Sequence, residues 1–146
     1  MKKKQKILRI RVLFNASVVL SGINSPKGGS AKTLSFVEKG LINGTISEVI
    51  LDEILRHSGK FDISKNDIFN YTGNIFKKVL VAPSEIYVKK CGNKVIDEGD
   101  AHILATCLEN NIPYLVTLDK KHLLVLKGKI KGLTILTPGE LIKMLS

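Results

Sequence analysis

Residues 7–17 read Ile-Leu-Arg-Ile-Arg-Val-Leu-Phe-Asn-Ala-Ser, and this stretch decides the fold class. Branched apolar residues dominate it as far as Phe14, which predicts a largely buried β-strand. Two polar side chains, Asn15 and Ser17, follow the strand directly. Short apolar segments between helical patterns predict further strands at Thr45–Ile46, Leu80–Ala82, Tyr114–Thr117 and Leu133–Leu136. Strands with apolar residues on both faces are typical of a parallel sheet covered by helices on both sides.

Capping residues mark where the predicted helices begin. Residues Thr137–Glu140, which read Thr-Pro-Gly-Glu, combine an N-cap, a proline at the first helical position and a glutamate at the third. They predict a final helix that ends at Leu145. Residues Asp97–Asp100 place acids in the first turn of a helix through Leu108, where the helix dipole favours them. Serine N-caps begin three more helices, from Ser30 to Glu38, from Ser47 to Leu55 and from Ser64 to Phe76.

The predicted fold class is therefore α/β, a three-layer α/β/α sandwich with a central, mostly parallel sheet. We expect residues 1–146 to form one domain, with residues 1–6 as a flexible basic tail. Asn43–Gly44 predicts a turn before the Thr45–Ile46 strand.

The composition indicates the kind of partner. The formal net charge is +10, and a basic surface attracts polyanions such as nucleic acids.

No apolar run approaches the roughly 18 to 20 residues that cross a bilayer. Arg9 and Arg11 interrupt the apolar stretch after the basic start, which excludes a signal peptide. We expect a cytoplasmic protein with no membrane contact, in which Cys91 and Cys107 are separate thiols rather than a zinc pair.

Three acids are expected to meet at one edge of the sheet. Ligands bind beyond the carboxyl ends of the strands in an open parallel sheet. Asp119 follows the Tyr114–Thr117 strand, Asp100 opens the helix that leads into it, and Glu53 lies in the helix after the second strand. Taken alone, Asp100 is a helix-start acid, Asp119 a turn residue and Glu53 a solvent-facing acid. Their joint placement instead indicates an acidic cluster that an ordered cation holds together.

The ligands in this cluster are hard oxygens without a paired Cys or His, which favours Mg²⁺ or Mn²⁺ over Zn²⁺. Such a site generates a nucleophilic water and stabilises charge on a scissile phosphate. Phosphodiester hydrolysis is the natural reaction class. The three histidines are scattered, and we expect none of them to be a ligand; among them only His122 is predicted to lie near the site.

Four segments resemble the motifs of the PIN (PilT N-terminal) domain family, in the family's order along nearly the whole chain. These segments are RVLFNASVVLSG at 11–22, SEVILDEIL at 47–55, DEGDAHILAT at 97–106 and YLVTLDKKHLL at 114–124. The Leu136–Pro138 segment resembles the usual ending. The likeness is strongest to small prokaryotic PIN proteins grouped with the toxins of toxin–antitoxin pairs.

The resemblance implies an Mg²⁺- or Mn²⁺-dependent ribonuclease, often a homodimer and frequently held by an antitoxin. Its acidic site would fall on Glu53, Asp100 and Asp119, with Asp97 as a helper. Thr117 matches the hydroxyl residue beside the last acid, and Ser17 matches the small polar residue of the first motif.

Asn15 departs from the family, which normally has aspartate at this position. An amide oxygen still ligates a cation but brings no formal charge, so metal affinity and water activation should fall. Two hypotheses follow, a weakened ribonuclease and a non-catalytic PIN module that binds RNA or a protein. A third, a receiver-like or nucleotide-binding α/β protein, lacks the phosphate-loop pattern. For RNA contact we expect Ser17 and the lysines after the last acid, Lys120 and Lys121.

Overall fold

A five-stranded parallel sheet forms the centre of the protein in a computed structural model, which describes residues 9–93, 95 and 98–146. Its strands are β1 (Arg11–Phe14), β2 (Asn43–Ser47), β3 (Val79–Leu80), β4 (Tyr114–Val116) and β5 (Thr134–Leu136). They are ordered β3-β2-β1-β4-β5, so the strand that the sequence singled out is central. Residues 7 and 8 of that predicted strand and the basic tail at 1–6 lie outside the described residues.

Helices cover both faces of the sheet. They are α1 (Ala16–Asn24), α2 (Gly29–Glu38), α3 (Glu48–His57), α4 (Lys65–Ile75), α5 (Glu85–Gly92), α6 (Glu98–Glu109) and α7 (Pro138–Leu145). The chain builds outward from β1 to β2 and β3, then returns to add β4 and β5 on the other side. Right-handed crossovers that run in opposite directions place their helices on opposite faces. Helices α1 to α4 and α7 pack in one group, and α5 packs on α6, which confirms the three-layer α/β/α sandwich.

None of the helices in these described ranges combines the length and apolar character that crossing a bilayer requires.

The central strand joins the two halves of the sheet. Leu13 pairs with Thr45 of β2 on one side and with Leu115 of β4 on the other. Its side chain is fully buried, as are those of Val12 and Phe14. Each buried side chain of this size contributes about 1.5–3 kcal/mol relative to an exposed one. The short apolar strand is therefore stabilised by the layers around it rather than by its own length.

Three helix starts form as the capping residues predict. The Ser47 and Ser64 hydroxyls accept hydrogen bonds from the Ile50 and Asp67 backbone N–H groups, at 3.2 and 3.1 Å. At α7, the Thr137 hydroxyl accepts from the Glu140 N–H at 3.1 Å, and Glu140 Oε1 accepts from the Thr137 N–H at 2.9 Å. These bonds satisfy N–H groups that have no partner inside the helix.

Several predicted boundaries are wrong. Asn43–Gly44 is not a turn but the start of β2, because Gly44 pairs with Val12 of β1. Ser30 does not cap α2, since Gly28 occupies that position and Ser30 is buried one residue inside the helix. The third strand is Val79–Leu80 rather than Leu80–Ala82, because the register with β2 places Val79 opposite Ile46.

Two helices, α1 and α5, were not predicted. In α1 the β-branched and serine residues have low intrinsic helix propensity. The helix forms because its apolar residues pack into the core and the Asn15 side chain accepts a hydrogen bond from the Ser17 N–H at 3.0 Å. Helix α5 is short and mostly exposed, and it is held against α6 through buried Cys91. Tertiary packing overrides local preference in both.

Both cysteines belong to the core, in agreement with the prediction for Cys107. Burial, and to a lesser degree the neighbouring Cys91, raises the pKa of the Cys107 thiol well above its usual range. Cys107 therefore stays a neutral, apolar core side chain at physiological pH.

Substitution of Gly44 by alanine should destabilise the fold. A Cβ at this position would overlap the branched side chain of Val37 and the ring of Phe14. Such overpacking costs about 1–3 kcal/mol. The matched control is Gly73→Ala in α4, where the added Cβ meets nothing within 4 Å beyond the helix's own nearby backbone and helix propensity favours alanine by up to about 1 kcal/mol. Urea unfolding should give opposite signs for the two variants, and equal effects would contradict this packing argument.

Glu140 should make a small stability contribution that acid removes. The Lys127 ammonium bonded to Glu140, and then the Thr137 backbone N–H, lower the pKa of the Glu140 carboxyl. A depressed folded pKa stabilises the protein at neutral pH, and this contribution disappears as the pH falls through the folded pKa. Glu140→Gln should reduce the free energy of unfolding by less than about 1 kcal/mol near neutral pH, since the pair is exposed.

Denaturation at about pH 7 and at steps down to about pH 2 tests this, because the folded carboxyl titrates below its unfolded value of about 4.3 and must be protonated for the contribution to disappear. The difference between Glu140→Gln and the wild type should vanish in acid. The control Glu85→Gln, in the first turn of α5, should show no comparable change. A Glu140→Gln difference of the same size at about pH 7 and about pH 2 would refute the assignment.

Candidate active site

The candidate site lies at the carboxyl ends of β1 and β4, where the strand order reverses direction. Such a reversal leaves a crevice between the loops that follow the two strands. Asn15 follows β1, and its backbone N–H donates to the Val116 carbonyl of β4 at 3.0 Å. This bond holds the two strand ends side by side, so the residues beyond them face a common cleft.

Asn15 is buried and has a structural partner. Its Oδ1 accepts a hydrogen bond from the Ser17 backbone N–H and so caps α1. An amide oxygen has two acceptor positions, so this bond leaves one for another ligand. The side chain lines the cleft. Asn15 can therefore cap the helix and still offer an oxygen to the site.

A tight turn fixes Asp119. Its backbone N–H donates to the Thr117 hydroxyl at 3.0 Å, and its Oδ1 accepts from the His122 backbone N–H at 2.9 Å. The other carboxylate oxygen, Oδ2, lies 3.4 Å from Nδ1 of the His122 ring. One oxygen of Asp119 is thus bound within the turn, and the other lies beside the His122 ring.

Asp100 lines the same cleft as Asp119. It lies in the first turn of α6 and is 7% exposed. The positive end of the helix dipole favours a carboxylate there. Its Oδ2 lies 3.9 Å from His122 Nδ1. One donor atom each from Asp100, Asp119 and His122 lie within 4.8 Å of one another, so these three side chains could hold a metal ion.

Glu53 lines the same cleft, which has a volume of about 340 Å³, together with Asn15, Asp100 and Asp119. Its half-buried side chain comes from α3 and is not part of the group formed by Asp100, Asp119 and His122, here called the tight group. The structure therefore brings the three acids that the sequence linked into one cleft, with Asp100 and Asp119 in the tight group and Glu53 at the wall.

Sequence reasoning missed Arg56 and His57, which also line the cleft. They follow Glu53 by three and four residues, a spacing that places them on its side of α3. That spacing from Glu53 is the sequence signal that could have identified both residues. Arg56 also pairs with Asp52 at 3.0 Å. The expectation that only His122 among the histidines lies near the site was therefore wrong.

Two predicted site residues support the loops instead of lining the acidic cleft. Thr117 is fully buried, and its hydroxyl holds the Asp119 backbone. The Ser17 hydroxyl accepts from the Leu118 N–H at 3.2 Å, and Ser17 lines a neighbouring hollow beside Lys60. Lys120 and Lys121 are exposed directly after Asp119. Asp97 lies outside the described residues.

The chemistry of the donor set fits a hard divalent cation. Carboxylate oxygens from Asp100, Asp119 and Glu53 and an amide oxygen from Asn15 face one cleft. Oxygen donors of this kind suit Mg²⁺ and Mn²⁺. The one nitrogen donor in the tight group is His122.

Comparison with known structures supports the fold. Similar chains occur in the crystal structure of VapBC2 from Rickettsia felis bound to a DNA fragment from their promoter (TM-score 0.68, 14% identity, 88% of this chain and 98% of that one). A chain in the structure of FitAB bound to the IR36 DNA fragment has a TM-score of 0.61 and 14% identity, and the match covers 87% of this chain and 94% of that one. A chain of VapBC-1 from nontypeable Haemophilus influenzae has a TM-score of 0.60 and 17% identity, and the match covers 89% of this chain and 99% of that one. At these identities the likeness shows a shared fold.

No curated protein matches the sequence as a relative. The family model of the PIN domain, however, matches residues 11–121, which include β1, β2, β3, β4 and the cleft residues Asn15, Glu53, Asp100 and Asp119. On this match, the chain belongs to the PIN domain family.

Proposed function

We propose that this PIN domain is a metal-dependent endoribonuclease. The observation that carries the proposal is the meeting of the Asp100 and Asp119 carboxylates, with Glu53 at the wall of the same cleft. Carboxylates that converge at a sheet edge repel one another unless a cation neutralises them. A bound Mg²⁺ or Mn²⁺ would lower the pKa of a water molecule and stabilise charge on a phosphate.

In this proposal the chain's own residues divide into ligands and supports. Asp100, Asp119, Glu53 and the amide of Asn15 would hold the ion. The Thr117 hydroxyl keeps the Asp119 backbone in place, and we retain Asp97 as a helper of the acidic cluster. These supports matter because a misplacement of about 1 Å at the reacting centre can cost roughly 100-fold in rate.

RNA is the proposed substrate because the chain is basic and carries exposed lysines beside the site. Lys120 and Lys121 extend from the turn that holds Asp119, and the net charge is +10. Lysines at such a position bind phosphates without reading the base sequence. Ser17, whose hydroxyl is engaged by the adjoining loop, would contribute at the rim.

The second candidate function is a non-catalytic PIN module that binds RNA or a protein. It is favoured by Asn15, which removes one formal charge from the proposed metal site. The loss of one ligand charge weakens attraction for a divalent ion, although desolvation offsets part of the change. Activity that appears only at high metal concentration would fit a weakened enzyme, whereas its absence would fit the module.

We further propose a toxin role with an antitoxin partner, a homodimeric state and a cytoplasmic location. The motif resemblance to PIN toxins supports the partner, as does the fold shared with chains of the VapBC2, FitAB and VapBC-1 structures. Co-expression with a neighbouring small gene product, followed by size-exclusion chromatography with light scattering, tests for the antitoxin complex and for the homodimer.

Replacement of Asp100 by asparagine should abolish cleavage of RNA. The change removes a carboxylate from the tight group while keeping its size, so activity should fall at least about 100-fold with little effect on folding. Single-stranded and structured RNA are incubated with wild type and variant, with Mn²⁺ or with EDTA. The matched control is Asp67→Asn, an exposed acid in the first turn of α4, which should cleave like the wild type. RNA binding that ignores EDTA, without cleavage by any form, would instead support the binding module.

Restoration of the missing charge in Asn15→Asp should raise metal affinity. Calorimetric titration with Mn²⁺ should give tighter binding than the wild type, by about tenfold or more, since an anionic ligand replaces a neutral one. The new carboxylate can still accept the Ser17 N–H bond, so α1 keeps its cap. Unchanged or weaker binding would remove this account of Asn15.

A further inference from the structure

We infer that His122 is a metal ligand in this chain and that its nitrogen makes the site prefer Mn²⁺ over Mg²⁺. The inference rests on the proposed metal site and adds a donor that the sequence resemblance does not supply. It also revises the expectation that no histidine is a ligand.

The position of the His122 ring carries the inference. Nδ1 lies 3.4 Å from Asp119 Oδ2 and 3.9 Å from Asp100 Oδ2. Both distances exceed the usual range of about 2.7–3.2 Å for an N–H···O hydrogen bond. Two donors that share one cation at about 2.0–2.2 Å lie no more than about 4.4 Å apart. The ring nitrogen is thus spaced from both carboxylates as ligands of a common ion are.

The backbone around His122 holds the ring in this position. The His122 N–H donates to Asp119 Oδ1, and Leu123 and Leu124 donate their N–H groups to the Asp119 carbonyl. Leu123 is fully buried and anchors the turn in the core. His122 therefore enters the site on a segment fixed by the same residue that supplies a carboxylate.

The choice of metal follows from donor chemistry. Asn15 leaves the cleft with one anionic ligand fewer, which lowers affinity for every divalent ion. A neutral imidazole restores a donor without adding charge. First-row transition ions accept nitrogen ligands, whereas Mg²⁺ strongly prefers oxygen. The His122 nitrogen therefore shifts selectivity toward Mn²⁺, whereas Asn15 lowers the affinity for both ions.

Electron spin-echo spectroscopy of the Mn²⁺-loaded full chain tests this directly, because a bound imidazole gives a ¹⁴N modulation that oxygen ligands do not. The wild type should show this modulation and His122→Phe should lose it. The matched control is His57→Phe, which changes another histidine of the same cleft and should keep it. Calorimetry should show Mn²⁺ affinity falling at least about tenfold in His122→Phe, with little change for Mg²⁺. Thermal melts check that each variant is folded, and His122→Gln replaces His122→Phe if the latter does not fold.

The outcomes separate this inference from the proposed function. Mn²⁺ binding that Asp100→Asn abolishes, with no ¹⁴N modulation in the wild type, overturns the role of His122 and leaves the metal site standing. Modulation lost in His57→Phe but kept in His122→Phe also overturns it. Absence of Mn²⁺ binding by the wild type removes both proposals.

Discussion

Repulsion between carboxylates is the constraint on which the site depends. Asp100 and Asp119 bring donor atoms within 4.8 Å of each other, and Asp100 is buried. Two unit charges about 4.8 Å apart repel by roughly 3–4 kcal/mol at an effective dielectric of 20. The fold offsets this cost with the dipole of α6, with the backbone N–H that binds Asp119, and with the Arg56 guanidinium in the cleft lining. A divalent ion would complete the neutralisation.

The same constraint explains why the site occurs where it does. The crevice between β1 and β4 joins the ends of two neighbouring strands with the first turn of α6, a helix from the opposite layer. The bond from the Asn15 N–H to the Val116 carbonyl aligns the two strand ends, and the Thr117 and Ser17 hydroxyls fix the loops beyond them. The hydrogen bonds of the Thr117 and Ser17 hydroxyls thus hold the framework of the site, whereas the contacts of these residues with substrate stay a prediction.

Periodicity and capping predicted most of the fold because those signals are local. The Thr137–Glu140 capping box and the Ser47 and Ser64 caps form as expected, since each depends on residues a few positions apart. Helix α1 and the Asn43–Gly44 start of β2 were missed because non-local contacts stabilise them. Gly44 is in a strand because it pairs with Val12 and fits under Val37, which no local pattern reveals.

For the site, the sequence by itself determined which acids to consider and that oxygen chemistry would dominate, because strand ends in a parallel sheet share an edge. Only the tertiary structure decided that Asp100 and Asp119 lie in a tight group with His122 and that Glu53 stands at the wall. The packing of α3 likewise places Arg56 and His57 in the cleft lining. Distances between side chains on α3, α6 and the β4 loop depend on how the layers pack, and sequence spacing carries no measure of that.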